Sequence, residues 1–306
     1  MKNSLLVGLL LLLSVPLHGE ERPLVAVLHP LLAEAVQRIA GDHVRVETLM
    51  PPSADPHTFD PSPGDMARIQ GAVLVVALGK NLETYLDRLR ENLPKEVSIY
   101  EAGRPVPSLV IDVKHEAFIC CPDHSHGAVD PHWWQSPVAM QRAVRHLGRE
   151  LEKEFPAHKD SIRENTRLYM AELEELNTWA KGELSAIPKA QRKLVTPHAS
   201  FGYFCELYGF QSIPVQGLST EDNPTPAYLA ETIETLRREQ VRAVFPDQSA
   251  NNTILHSLRE ATGVTLAPAL IADNLGNADI DYRAMIRHNV TSIVKALSPV
   301  ENKTTP

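Results

Sequence analysis

Two histidines in this chain follow the same dipeptide: Asp55-Pro56-His57 in ADPHTFDPSP and Asp130-Pro131-His132 in VDPHWWQSP, each running on into a Ser-Pro pair. Proline fixes its own backbone and pushes the residue before it into an extended conformation, so Asp-Pro-His holds an imidazole on a stiff, non-helical stretch. Ser62-Pro63 and Ser136-Pro137 then read as a helix N-cap and the first helical residue. A third histidine, His198, stands behind Thr196-Pro197. Two carboxylates, Asp247 and Asp273, follow the apolar runs VRAVF and VTLAPALIA. Three neutral imidazoles and a carboxylate form a good donor set for Zn²⁺, which accepts tetrahedral coordination by nitrogen and oxygen. The ring nitrogens turned away from such an ion need acceptors, and Asp55 and Asp130 are the nearby candidates.

The elements that must position these groups follow from hydrophobic period. PLVAVL reads as a buried strand, LLAEAVQRIA as a helix ended by Gly41, and HVRVETLM as a second strand. VLVVAL, a helix from about Asn81 to Asn92, and VSIY continue the alternation. It restarts after residue 190 with KLVTP, a helix through FGYFCELYG, QSIPVQG and a helix from about Pro226 to Gln240. VRAVFP, a helix near 250 to 262, VTLAPAL and a last helix from about Tyr282 to Leu297 complete it. Apolar strands alternating with helices imply an α/β fold with mainly parallel sheets covered on both faces. In such sheets the ligand site lies beyond the carboxyl ends of the strands, which is where His57, His198, Asp247 and Asp273 fall. Between the two runs, residues 156 to 188 carry one apolar stripe: Ile162, Tyr169, Leu173, Leu176, Ala180, Leu184 and Ile187. Roughly 30 residues of helix make a rod of about 45 Å, long enough to pack along two lobes. The expected organisation is therefore a leader over 1–19, an N-terminal α/β lobe over 20–155, a linking helix over 156–188 and a C-terminal α/β lobe over 189–306, with the metal in the cleft between lobes.

Composition narrows the setting. MKNSLLVGLLLLLSVPLHG has one lysine, an apolar run and a small residue before the charged EER, the pattern of a secretory signal peptide and not of a membrane anchor. No cysteine lies near the expected cleavage point to take a lipid. An exported chain without membrane insertion is expected, with the bacterial periplasm as its compartment. The formal net charge of −8, or −9 once Lys2 leaves with the leader, argues against nucleic acid as a partner. About 287 mature residues exceed the size at which single cores usually stop growing, which favours two lobes. Three cysteines are too few for a disulfide scaffold; a Cys120–Cys121 bridge would be strained, and a bridge from either to Cys205 stays open.

DPHTFDPSPGDMARIQGAVLVVALGKNLETYL, DPHWWQSPVAM, VTPHASFGYFCELYGF and ADNLG followed by DYRAMIRHNVTSIVKAL resemble the periplasmic zinc- and manganese-binding receptors of ABC importers. The resemblance implies two α/β lobes bridged by one long rigid helix, a single metal between them and no catalysis. It carries ligands onto His57, His132, His198 and Asp273, with Asp247 as the alternative carboxylate. Histidine at the third position resembles the zinc receptors, where manganese and iron receptors usually place glutamate. The expected function is capture of Zn²⁺ by a monomer and its delivery to an inner-membrane ABC permease, with a periplasmic metallochaperone as a further candidate partner. A manganese or iron receptor of the same family is the nearest rival. A zinc hydrolase is the rival from another class, but the chain offers no HExxH-type motif and a fourth protein ligand would close the open coordination position that catalysis needs.

One segment departs from that family. Where many zinc receptors carry a long histidine-rich insert, KHEAFICCPDHSHGAVDPH holds only His115, His124 and His126 beside Cys120 and Cys121. These are candidate weak accessory zinc ligands, against an ordinary polar loop with a structural disulfide. Trp133 and Trp134 are expected to wall the cleft or pack beneath His132. His29, His43, His146, His158, His256 and His288 have no matched context and are expected to be solvated or capping. Glu221 and Asp222 are candidate permease contacts in a surface loop.

Overall fold

The computed structural model describes residues 22–110, 129–220, 224–248, 252–275 and 280–299. Four parallel strands form the first sheet: β1 (Leu24–Val27), β2 (Arg45–Thr48), β3 (Ala72–Ala77) and β4 (Ser98–Glu101), in the order β2-β1-β3-β4. β1 is buried throughout and β3 at all but Val73, as expected of strands covered on both faces. Their side chains part by alternation. Val25, Val27, Leu74 and Val76 enter the large core, while Leu24, Ala26, Val75 and Ala77 enter a smaller one with Ile69, Leu86 and Leu89.

The crossovers begin where local chemistry starts them. α1 (Pro30–Ala40) is capped by the His29 ring, which accepts from the Leu31 N–H. α2 (Pro63–Ile69) opens on a full capping box between Ser62 and Asp65. α3 (Leu86–Asn92) begins five residues later than the sequence suggests. Lys80 and Asn81 have φ of 56° and 65°, and the Glu83 carboxylate turns back to accept from the Leu78 and Gly79 N–H groups, so a tight turn takes the place of the first helical turn. α4 (Pro137–Glu154) is capped by Ser136, whose hydroxyl accepts from Ala139.

α5 (Lys159–Leu184) is the longest helix among the described residues, 26 residues or about 39 Å at 1.5 Å each. It is shorter than the expected 156–188 because Pro156–His158 forms a separate 3-10 turn. All seven residues of the predicted stripe, Ile162 to Ile187, are buried. α5 packs on α4, on α1 and on α9 (Tyr282–Leu297).

The second half builds β5 (Lys193–Thr196), α6 (Gly202–Tyr208), β6 (Gln211–Pro214), α7 (Pro226–Arg238), β7 (Ala243–Val244), α8 (Thr253–Thr262) and β8 (Thr265–Leu266) before α9. β5 pairs with β6 and β7 with β8, all parallel, and the Phe245 N–H joins the pairs by donating to Val195 O. β7 and β8 are two residues each, shorter than VRAVFP and VTLAPAL suggest, because Pro246 and Pro268 have no N–H to extend a ladder. The large core does not stop between the halves: it runs from β1 and α1 through Trp133, Trp134 and α5 to Phe204, Tyr282 and Ile286. Cys205 lies in it as a buried free thiol, while Cys120 and Cys121, its candidate partners, fall outside the described residues.

Two helical glycines mark opposite tolerances. A Cβ on Gly148 in α4 would lie 2.4 Å from Thr166 Oγ1 of α5, whereas one on exposed Gly182 of α5 would meet nothing within 4 Å. Gly148→Ala should therefore lower unfolding free energy by about 1–3 kcal/mol through overpacking. Gly182→Ala should raise it by up to about 1 kcal/mol from helix propensity alone. Denaturant titration of both variants checks the pair, and equal effects would contradict the close α4–α5 contact.

Candidate metal centre

The two Asp-Pro-His loops are built alike. In each, the aspartate Oδ1 accepts from the backbone N–H of the histidine two residues on, at 2.9 Å for Asp55–His57 and 2.8 Å for Asp130–His132. This side-chain turn, stiffened by the intervening proline, fixes where the imidazole leaves the chain. The loops differ beyond it. Asp130 Oδ1 also holds His132 Nδ1 at 2.8 Å, as expected of an acceptor behind a ligand ring. Asp55 does not take that part: its second oxygen accepts from the Thr220 hydroxyl at 2.5 Å, which ties the loop to the second half of the chain. Gly202 makes room for Asp130, since a Cβ there would stand 2.3 Å from Asp130 Oδ2.

His57, after β2, and His132, before the 3-10 turn Trp133–Gln135, meet His198, directly after β5, and Asp273, three residues beyond the Asp247–Leu270 bridge. One ligand atom from each of the four lies within 4.8 Å of the others. His57 Nε2 is 3.1 Å from His132 Nε2 and 3.6 Å from Asp273 Oδ2. His132 Nε2 is 3.2 Å from Asp273 Oδ1, and His198 Nε2 is 2.9 Å from Asp273 Oδ2. His132, His198 and Asp273 are at most 2% exposed. His198 Nε2 and both Asp273 oxygens are buried without a well-directed hydrogen bond. Apart from the His57–His132 contact these donor atoms face one another without hydrogen bonds to satisfy them, an arrangement that suits a cation. The separations also suit Zn²⁺, because bonds of about 2.0–2.1 Å put tetrahedral ligands about 3.3 Å apart.

Of the two candidate carboxylates, Asp273 stands among the three Nε2 atoms. Asp247 lies behind His198, with Oδ2 3.9 Å from Nδ1, and its main chain is held by Asn252. The accessory candidates His115, His124 and His126, with Cys120 and Cys121, fall outside the described residues, as do Glu221, Asp222 and the leader. Trp134 does lie against His132, ring to ring at 5.2 Å, and both tryptophans are fully buried.

Sequence reasoning missed the groups that hold the Asp273 segment. Gln135 Nε2 donates to Ile271 O and Ala272 O, Trp134 Nε1 donates to Ala272 O, and His29 Nε2 donates to Asp273 O. Asn289 of α9 closes a two-way bond with Ile271. His29 is not solvated but 1% exposed, although it does cap α1 as expected. Its signal was present: a histidine at the end of VAVL and just before Pro30 has the strand-end position that singled out His198.

Burial disfavours charge on His132, but the carboxylates of Asp273 and Asp130 outweigh it and push the ring up to about 10. Burial would raise Asp273, yet His198 and His132 hold it well below the usual carboxylate range.

The zinc-uptake complex component A periplasmic family model matches residues 25–296. The chain is 30% identical over 274 residues to the manganese-binding lipoprotein MntA of Bacillus subtilis (strain 168), covering 87% of each. It is 25% identical over 286 residues to the high-affinity zinc uptake system protein ZnuA of the same organism, covering 91% of this chain and 88% of that one. The structure superimposes with a TM-score of 0.80 and 26% identity on the periplasmic zinc-binding protein TroA from Treponema pallidum, covering 91% of this chain and all of that one.

An imidazole must be free of its proton at the ligating nitrogen, and the neighbouring carboxylates favour the protonated His132 ring, so an incoming ion competes with protons for the site. Acidification adds protons to displace, so metal affinity should fall from pH 7.5 to 5.5 and each binding event should release at least about one proton. Calorimetry in buffers of different ionisation enthalpy measures both. A flat affinity over that range would contradict a three-imidazole site.

Proposed function

The chain belongs to the zinc-uptake complex component A family, the metal-binding receptors of ABC importers, and from that premise we propose that it captures Zn²⁺ in the periplasm and delivers it to an inner-membrane permease. The family binds its cargo and performs no reaction on it. The observation that carries the zinc reading is the convergence of the Nε2 atoms of His57, His132 and His198 on the buried Asp273 carboxylate. Three borderline nitrogen donors and one oxygen suit Zn²⁺, whereas Mn²⁺ favours a shell richer in oxygen. Manganese is the second reading, favoured by two facts: both Asp273 oxygens face the imidazoles, and a relative named for manganese covers most of the chain. We read 20–155 and 189–306 as the two lobes, bridged by 156–188, with His57 and His132 supplied by the first and His198 and Asp273 by the second. The receptor is taken to act as a monomer.

Elemental analysis of protein equilibrated with equimolar Zn²⁺ and Mn²⁺ tests the reading, with about one zinc per chain expected. One manganese per chain would replace it by the second reading. His198→Ala should weaken zinc binding more than the ten- to hundredfold that follows loss of a group behind a ligand. His256→Ala, at an exposed position of α8, should leave binding unchanged. Equal effects of the two substitutions in a competition assay would count against the assigned site.

A further inference from the structure

The carboxylate at the centre of the site sits on a segment with little secondary structure of its own. From Ile271 to Asp273 the chain forms no strand, and its three successive carbonyls point at side chains from elsewhere. Ile271 O accepts from Gln135 at 3.2 Å and Asn289 at 2.8 Å, and Ala272 O from Gln135 at 2.7 Å and Trp134 at 2.9 Å. Asp273 O accepts from His29 at 2.8 Å. Trp134, Gln135 and His29 all precede α5 in the chain, whereas Asp273 follows β8. Apart from Asn289, the donors that hold the main chain carrying the ligand carboxylate therefore come from the opposite half of the molecule.

His29 is the member of this clamp bonded to the ligand residue itself, and its chemistry admits one arrangement. Leu31 N–H donates to Nδ1, so Nδ1 carries no proton, and the neutral ring must carry its proton on Nε2, aimed at Asp273 O. The ring cannot slide, because it is 1% exposed, caps α1 and lies beside the Trp134 ring at 5.9 Å. With the Asp273 carbonyl anchored, the carboxylate on the same residue is left facing His132 and His198. Both its oxygens lack well-directed hydrogen bonds, so side-chain bonding alone does not hold it there.

We propose that His29 is a positioning residue for metal capture: by holding the Asp273 main chain to the α1 end of the first half, it keeps the carboxylate ligand in place before the ion arrives. This rests on the zinc reading above. Preorganisation of this kind raises affinity by removing the ordering cost from the binding step.

Two substitutions separate this role from the helix cap. His29→Asn keeps a good capping acceptor but is too short to reach Asp273 O. His29→Gln can place an amide N–H near the Nε2 position but gives up the cap. In His29→Asn the metal-free melting temperature should stay near wild type, while zinc affinity falls about tenfold or more and the visible absorption of the Co²⁺-loaded protein changes. In His29→Gln the melting temperature should fall while zinc affinity stays within about threefold of wild type and the Co²⁺ spectrum is retained. The proposal is overturned if both variants bind as wild type does, or if affinity follows melting temperature through the pair. Should His29→Asn not fold, His29→Gln decides: wild-type affinity despite lowered stability supports the role, and lost affinity overturns it. Wild-type protein that yields its zinc to a weak chelator would instead remove the zinc reading itself, a result distinct from equal binding by wild type and variants.

Discussion

Donor atoms gathered at an enclosed point, three of them on almost fully buried side chains, forgo water, so the rest of the molecule has to hold them there. A buried polar group without a partner costs on the order of 1–3 kcal/mol, and a buried charge more. His132, His198 and Asp273 are almost fully enclosed, with both Asp273 oxygens lacking well-directed hydrogen bonds. Such a cluster persists only when its members cannot turn away. Each is pinned by backbone chemistry close to its own Cα: the Asp-Pro-His turns for His57 and His132, the end of β5 for His198, and the clamp on three carbonyls for Asp273. A cation removes the conflict that the fold creates.

Pinning the donors requires a frame that does not give way between the halves of the chain. The large apolar core supplies it, being continuous from β1 through the two tryptophans and α5 to α9. α5 touches α1 and α4 of the first half and α9 of the second, and the Gly148–Thr166 contact brings α4 close against it. Polar ties reinforce the same junction, with the Tyr282 hydroxyl donating to Trp134 O and the Tyr282 N–H to the Glu34 carboxylate. Halves joined by a large apolar contact are not free to swing as loosely linked domains do. The geometry of the centre is thus a property of the whole core more than of the loops that carry its ligands.

How much of this was legible in the sequence depended on the range of the interaction. Proline and serine signals are local, and they located the Asp-Pro-His turns and the caps at Ser62 and Ser136. The period of Ile162 to Leu184 marked the buried face of α5, though Pro156 shortened the helix itself. Strand ends pointed to His57, His198 and the two carboxylates without ranking the carboxylates; only the family resemblance put Asp273 first, with Asp247 as the alternative. That ranking depends on which carboxylate the Trp134, Gln135 and His29 donors pull toward the histidines, partners more than 130 residues away in the chain. The late start of α3 was hidden for a similar reason, since a buried Glu83 bonding backwards reads in sequence as an ordinary helical residue.

The central claim is that one ion is held by three imidazole nitrogens and the Asp273 carboxylate, with no sulfur. Extended X-ray absorption fine structure at the zinc edge of the singly loaded protein measures that shell most directly. The account predicts a four-coordinate site of nitrogen and oxygen at about 2.0–2.1 Å, with the outer-shell scattering of three imidazole rings. A sulfur contribution near 2.3 Å, or scattering from one imidazole or none, would place the metal elsewhere and contradict it.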